Sequence, residues 1–246
     1  MGPVLEVDGV SFAYEERRVI EDISFTIDRG ELLGLIGPNG GGKTTLMKVM
    51  LGLLSPTSGS VTLFGMPARE FEEGHRLGYV AQHAAETERR IPVTVREVVR
   101  MGRYPHTGLN GLTEADEALI EEALETAGIA DLADERIGHL SGGQRQRTYI
   151  ARVLAAEADL LALDEPTVGL DADARDRFYE LLDDLNDAGV TVILVEHDLG
   201  LVLERADRIA CINRTLRYLG KPESFLESDA IVETFGTAGE ALKALS

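Results

Sequence analysis

The sequence predicts an α/β fold, a sheet core interrupted by one inserted helical segment. Three observations carry the prediction. The runs "ELLGLIG" at 31–37, "DLLALDE" at 159–165 and "VTVILVEH" at 190–197 have apolar centres of strand length, as strands buried on both faces require. A glycine-rich loop, "GPNGGGKTT" at 37–45, joins the first run to a helical pattern. Between the strand-like "RLGYVAQ" at 76–82 and "DLLALDE" the chain reads as mostly helical.

The elements follow in order. "VLEVDGVSFAY" at 4–14 and "ISFTID" at 23–28 alternate apolar and polar residues, and a turn at Arg29-Gly30 leads into "ELLGLIG". After the glycine loop, "KTTLMKVMLGLL" at 43–54 has helical periodicity running to a stop at Pro56, and "GSVTLFG" at 59–65 is a further strand. Thr94 and Glu97 form a capping box ahead of "VREVVRMG", and 114–127 repeats apolar residues at Leu119, Ala123, Leu124 and Ala127. The nine acids from Glu114 to Glu135 make a solvated face. An amphipathic helix over 172–188 separates the last two apolar runs, and "RIACIN" at 208–213 follows. The expected division is one domain over 1–246, with 1–84 and 159–246 as the α/β core and 85–158 as the helical subdomain.

Composition excludes several classes. No apolar run approaches the roughly 20 residues that cross a bilayer, and "MGPVLEVDGV" lacks the layout of a signal peptide. A cytosolic chain is expected, with any membrane role supplied by a partner. Cys211 is the only cysteine, so no internal disulfide forms, and it reads as a small buried hydrophobe. The net charge is −19, from 43 acidic and 24 basic residues, and the only lysines are Lys43, Lys48, Lys221 and Lys243. That balance argues against a general nucleic-acid binder, which must neutralise phosphates. It is also the balance a high-salt cytoplasm favours, and a halophilic source is expected.

The chemistry is concentrated at a few positions. Gly37, Gly42, Lys43 and Thr44 fit G-x-x-x-x-G-K-[ST] between a buried strand and a helix, the context that defines a P-loop. The stretch Gly37, Pro38, Asn39, Gly40, Gly41, Gly42, Lys43, Thr44 and Thr45 is the candidate ATP-binding loop: its backbone N–H groups, which Pro38 lacks, reach phosphates, Lys43 offsets β/γ charge and the Thr44 hydroxyl suits Mg²⁺. "LLALDEP" at 160–166 ends a second strand in two acids: Asp164 suits the Mg²⁺ shell and Glu165 can polarise an attacking water. His197 closes a third strand at the same carboxyl edge. His75, His83, His106 and His139 have no such support, and no pair has metal-ligand spacing. A second anion-binding pattern, "HLSGGQRQR" at 139–147, puts a serine and two glycines ahead of an Arg-rich helix.

"LSGGQ" at 140–144 resembles the signature motif of ATP-binding cassette (ABC) ATPases, and the P-loop, signature, "LLALDEP" and His197 stand in that family's order over nearly the whole chain. The resemblance implies a P-loop NTPase (RecA-like) core with an N-terminal antiparallel β-subdomain and an inserted helical subdomain. It implies an ATPase using ATP and Mg²⁺, with Glu165, His197, Gln82 and Lys43 catalytic and with Thr44, Gln82 and Asp164 around the metal. It further implies a head-to-tail homodimer in which Leu140, Ser141, Gly142, Gly143 and Gln144 contact the partner's ATP. By the same resemblance Tyr14 stacks on adenine and Asp171 is the D-loop aspartate, for which capping of the helix over 172–188 is an adequate structural reason too. Glu196 stands where many relatives have Ser.

A free-standing single cassette resembles the energising subunit of a multi-subunit importer, docked by its helical insertion onto separate permease subunits on the inner face of the membrane and served indirectly by an external binding protein. "PVTVREVVRMGRYPHTGL" at 92–109 resembles metal-chelate importers. "DEPTVGLD" and "ADRIACINRTLRYLGKPESFL" look more like the zinc/manganese branch, while "GRYPH" is at least as typical of the siderophore, haem and cobalamin branch. Export and a non-transport ATPase are lesser alternatives.

Overall fold

The structure, a computed structural model, describes residues 2–82, 92–107 and 111–237 together with 239 and 243. The expected start of the helical segment at 85, His83 and residues 108–109 of the metal-chelate-like stretch lie outside the described residues. The chain forms two compact units, residues 1–72 with 191–246, and residues 73–190.

The first unit begins with β1 (Leu5–Tyr14) and β2 (Arg17–Ile27), an antiparallel hairpin turning at Glu15, whose φ is 53°. β2 starts earlier than the alternation at 23–28 predicts. The charged run around Arg17, Arg18 and Glu21 hides the inward-facing Ile20, which is fully buried. β3 (Leu32–Ile36) is buried along its whole length. Each such Leu or Ile contributes about 1.5–3 kcal/mol, so the strand is a firm base for the loop that leaves it.

α1 (Lys43–Met50) ends before the predicted stop at Pro56. Gly52 takes a φ of 72°, and the N–H groups of Leu53 and Leu54 both donate to the Lys48 carbonyl at 2.9 and 3.1 Å, closing the helix with a left-handed glycine. β4 (Ser58–Leu63) and β5 (Met66–Pro67) complete an antiparallel sheet in the order β2-β1-β4-β5.

The second unit contains β6 (Leu77–Val80), α2 (Val95–Arg100), α3 (Tyr104–Thr107), α4 (Glu114–Thr126), α5 (Gly142–Ala155), β7 (Leu160–Asp164) and α6 (Ala172–Asp187). β6 and β7 pair in parallel, and α2, α4 and α5 pack on one another. The capping box read at Thr94 and Glu97 is present, and a second one at Thr113 and Asp116 starts α4. Arg103 ties the helices together. It donates to Asp116 Oδ1 at 2.9 Å, to the Ala155 carbonyl at 3.0 Å and to Glu157 Oε2 at 2.6 Å.

The chain then returns to the first unit through β8 (Thr191–Val195), α7 (Leu199–Arg205), β9 (Arg208–Asn213), β10 (Thr215–Gly220), α8 (Pro222–Glu227) and α9 (Ala230–Phe235). β3 runs parallel to both β8 and β9, and β10 is antiparallel to β9. α7 lies close on β3: a Cβ at Gly34 would stand 2.3 Å from Val202 Cγ1. Cys211 is buried on β9, and burial pushes its thiol pKa up. Among the described residues no helix is long and apolar enough to cross a membrane.

Candidate nucleotide site

The glycine loop leaves the carboxyl end of β3, and its shape is imposed from behind by β9. Gly37 has a φ of 144°, and a Cβ there would stand 1.9 Å from the Ile212 carbonyl oxygen, so only glycine fits. The Arg214 N–H donates to the Gly41 carbonyl at 2.8 Å and Gly41 N–H to the Pro38 carbonyl at 3.0 Å, which fixes the loop.

Gly42, with φ 102°, is the N-cap of α1, without a side-chain cap and without an acid in the first turn. The first turn thus carries no capping side chain and no acid that would repel an anion. Lys43 is buried, and its Nζ donates to the carbonyls of Gly37 at 2.9 Å and Pro38 at 3.2 Å. The protein thus holds an ammonium at the rim of an amide-lined cradle. Asn39 and Gly40 are exposed and Thr44 and Thr45 half-buried.

Tyr14 sits at the free end of the β1-β2 hairpin, 51% exposed, with its ring edge-on to Phe12 at 4.8 Å. Val19 and Ile20 of the same hairpin press on the loop, since a Cβ at Gly42 would stand 3.0 Å from the Val19 carbonyl and 2.5 Å from Ile20 Cγ2. The exposed aromatic is thereby carried on the strand pair that flanks the phosphate cradle. Its open face suits a stacked base. His197 is exposed just beyond β8, whose register pairs Leu35 with Val195. Glu196, by contrast, is buried, and its carboxylate accepts from the His197 N–H at 3.2 Å.

In the second unit, the parallel register pairs Val80 with Leu163, so two residues later Gln82 comes level with Glu165. Gln82 Nε2 donates to Glu165 Oε2. Asp164 ends β7 almost fully buried, and Glu165 follows with φ 51°, a conformation costing an L-residue of order 1–3 kcal/mol. Tyr79 lies alongside, and burial, assisted by the charge of Asp164, pushes its pKa up to about 12.

The signature residues open α5. Ser141 Oγ accepts from Gln144 N–H at 3.3 Å and Gln144 Oε1 accepts from Ser141 N–H at 2.8 Å, a closed capping box. Leu140 is buried and Ser141 exposed. Gly143 is packed against α6, where a Cβ would stand 2.9 Å from that of Ala174. Asp171 caps α6 by accepting from Ala174 N–H at 2.8 Å.

Three contributors were not read from the sequence. The Ile212 carbonyl and the Arg214 amide are backbone groups and leave no sequence signal. The Ser141/Gln144 box is written as S-x-x-Q and was legible.

Residues 20–168 match the ABC transporter family, a span that includes the phosphate loop, Gln82, the signature residues, Asp164 and Glu165. The chain is 39% identical over 227 residues to the zinc uptake system ATP-binding protein ZurA of Listeria innocua, covering 92% of this chain and 88% of that one. It is 37% identical over 236 residues to the manganese transport system ATP-binding protein MntB of Halalkalibacterium halodurans, covering 96% and 93%. Among solved structures it superposes on cbiO1 of Clostridium perfringens, part of the ABC transporter complex cbiONQ, with a TM-score of 0.81 and 26% identity over 99% of this chain and 100% of that one. A glycine cradle with its lysine, a signature helix and a carboxylate-tipped strand are thus joined to sequence similarity over nearly the whole length, and the chain belongs to the ABC transporter family as an ATP-binding, ATP-hydrolysing cassette.

Proposed function

We propose that this cassette energises an importer of a divalent metal ion, zinc or manganese, and that each ATP is held between two copies of the chain. The observation that carries the catalytic half is the Gln82 to Glu165 hydrogen bond at the tip of β7, which orients a carboxylate at the end of a buried strand. Its counterpart is the Lys43-bearing cradle of the first unit.

Phosphates are held in the loop Gly37 to Thr45 by backbone N–H groups other than those of Pro38, which has none, and Gly41, which bonds the Pro38 carbonyl, and by Lys43; the adenine stacks on Tyr14. Glu165 polarises the attacking water and His197 contacts the γ-phosphate. Thr44 and, separately, Gln82 and Asp164 offer oxygen donors of the kind a hard cation such as Mg²⁺ takes; such a cation, when bound, would neutralise phosphate charge. Asp164, a buried carboxylate at a strand tip, fits that demand. Residues Leu140 to Gln144 of a second copy meet the γ-phosphate, and Asp171 orders the turn beside them. In subdomain terms, 1–84 and 159–246 act as the core and 85–158 as the lever that docks on the permease. The chain then sits on the inner face of the membrane without crossing it, reaches the external binding protein only through the permease, and does not act on nucleic acid.

The metal assignment is supported by the relatives named for zinc uptake and manganese transport. The "GRYPH" stretch at 102–106 favours a second reading, import of a siderophore, haem or cobalamin. Co-expression with its permease decides: zinc or manganese uptake that disappears in Lys43→Ala is the expected result, and uptake of a ferric chelate or cobalamin without metal-ion uptake overturns it.

A further inference from the structure

The sequence places His75 and His106 thirty-one positions apart, yet the fold of the second unit brings them together. Their ring centres are 4.4 Å apart with the planes at 65°. His75 lies in a short turn, Gly74–Arg76, just ahead of β6, and His106 on α3. We propose that this imidazole pair is a binding site for one divalent transition-metal cation of the imidazole-preferring class, such as zinc.

Several independent features fit. His106 Nε2 lies 3.0 Å from the Ala156 carbonyl, an acceptor only, so that nitrogen is the donor and Nδ1 carries the lone pair. Metal-bound histidines are oriented in this way, through a backbone carbonyl on the far ring nitrogen. His75 is half-buried, and burial followed by the neighbouring His106 lowers its pKa, which favours the neutral, ligating form. With metal–nitrogen bonds of about 2.1 Å, a shared cation sits about 3 Å from each ring centre, so a 4.4 Å separation is within its span.

The surroundings temper the added charge. Glu73 and Asp159 both act electrostatically on His75 and are held by Arg76, which donates to them at 2.7 and 2.5 Å. His75 also lines a cavity of about 250 Å³ whose wall includes Tyr79, a buried phenol oxygen without a hydrogen-bond partner, and Met101. No set of three His, Cys, Asp or Glu side chains converges on one point among the described residues, so the protein supplies two ligands and water the others. Two imidazoles select zinc, nickel or copper over Mg²⁺, which takes oxygen. A cation here would fasten the turn before β6 to α3.

The test is equilibrium dialysis of Zn²⁺ against the full chain without nucleotide, in excess Mg²⁺. Loss of an outer partner of a ligating histidine already costs roughly tenfold or more in affinity, so His75→Gln and His106→Gln are each expected to weaken one zinc equivalent by at least about tenfold. His139→Gln, an exposed histidine elsewhere, is expected to leave that equivalent intact. An unchanged isotherm in either pair variant, or displacement by Mg²⁺, overturns the site. Should a variant misfold, the wild-type protein suffices: zinc is expected to protect both histidines from diethyl pyrocarbonate in mass spectra, and equal labelling with and without zinc overturns the proposal. Neither measurement involves ATP or a permease, so failure here leaves the importer reading standing.

Discussion

Two glycine-rich helix N-termini in this chain are capped in opposite ways. The start of α1 is open: glycine is its N-cap, and Lys43 is folded back onto loop carbonyls. The start of α5 is closed, with Ser141 and Gln144 satisfying each other's backbone N–H. The N-terminal amides lack a side-chain cap in one case and are capped internally in the other. The difference teaches that the α1 end has no side-chain acceptor of its own, whereas the α5 end supplies one, which in the proposed two-copy arrangement a γ-phosphate would have to displace.

The largest expected effect separates binding from turnover. Glu165→Gln keeps the hydrogen bond to Gln82 available but removes the charge, and kcat is expected to fall by roughly 10²–10⁴. ATP affinity is expected to stay within a few fold, with an ATP-bound dimer accumulating on gel filtration. Full turnover in this variant would remove Glu165 from the chemistry.

Next, Ser141→Arg tests whether the closed end works in trans. Position 141 is exposed, whereas bulk at Gly143 would collide with Ala174 inside the same protomer and confuse the result. Ser141→Arg and Lys43→Ala chains are each expected to lack ATPase activity, and mixing them to restore part of it, since both defects fall in one composite site. Absence of rescue at every ratio would make the comparison one within a protomer.

A smaller effect sharpens the account of the closed cap. Ser141→Ala removes the acceptor for Gln144 N–H and is expected to cost about 1 kcal/mol of stability, read as a lower thermal midpoint without nucleotide. No equivalent side-chain cap exists at α1 to be lost.

A pH series examines the second unit's other box. Hydrogen bonds from the Thr113 hydroxyl and backbone, with the Arg103 guanidinium, hold Asp116 down to about 2 from 3.8. A depressed carboxylate stabilises the fold above its unfolded pKa, and this contribution is expected to fade as pH falls from about 4 toward 2. Asp116→Asn is expected to flatten that part of the acid-melting curve.

The smallest effect comes from net charge. At −19, repulsion between carboxylates is screened by salt, so the melting midpoint is expected to rise with KCl toward the molar range. A flat or falling midpoint would count against the halophilic source expected from composition.

What could be read from the residues follows from how locally each feature is encoded. The phosphate loop was legible because glycine spacing, a following lysine and flanking apolar runs are all contiguous. Asp171 was legible as an N-cap for the same reason, and the structure places it there. The pairing of Gln82 with Glu165 depends on register between strands some eighty residues apart, which spacing alone does not encode. The Arg103 cluster and the early end of α1 were hidden for related reasons, one being a long-range ion pair and the other a glycine turn inside an apolar run. β10, α7, α8 and α9 went unread because their short, half-buried segments carry little periodicity.

The wall that β9 provides has a consequence for biosynthesis. The glycine motif is translated early, at 37–45, but the Ile212 carbonyl that forces Gly37 into its conformation and the Arg214 amide that pins Gly41 emerge from the ribosome about 170 residues later. A nascent chain halted before Ile212 carries every letter of the glycine motif and lacks both the carbonyl behind Gly37 and the amide that pins Gly41. The described shape of the loop is thereby completed only by residues about 170 positions downstream of it.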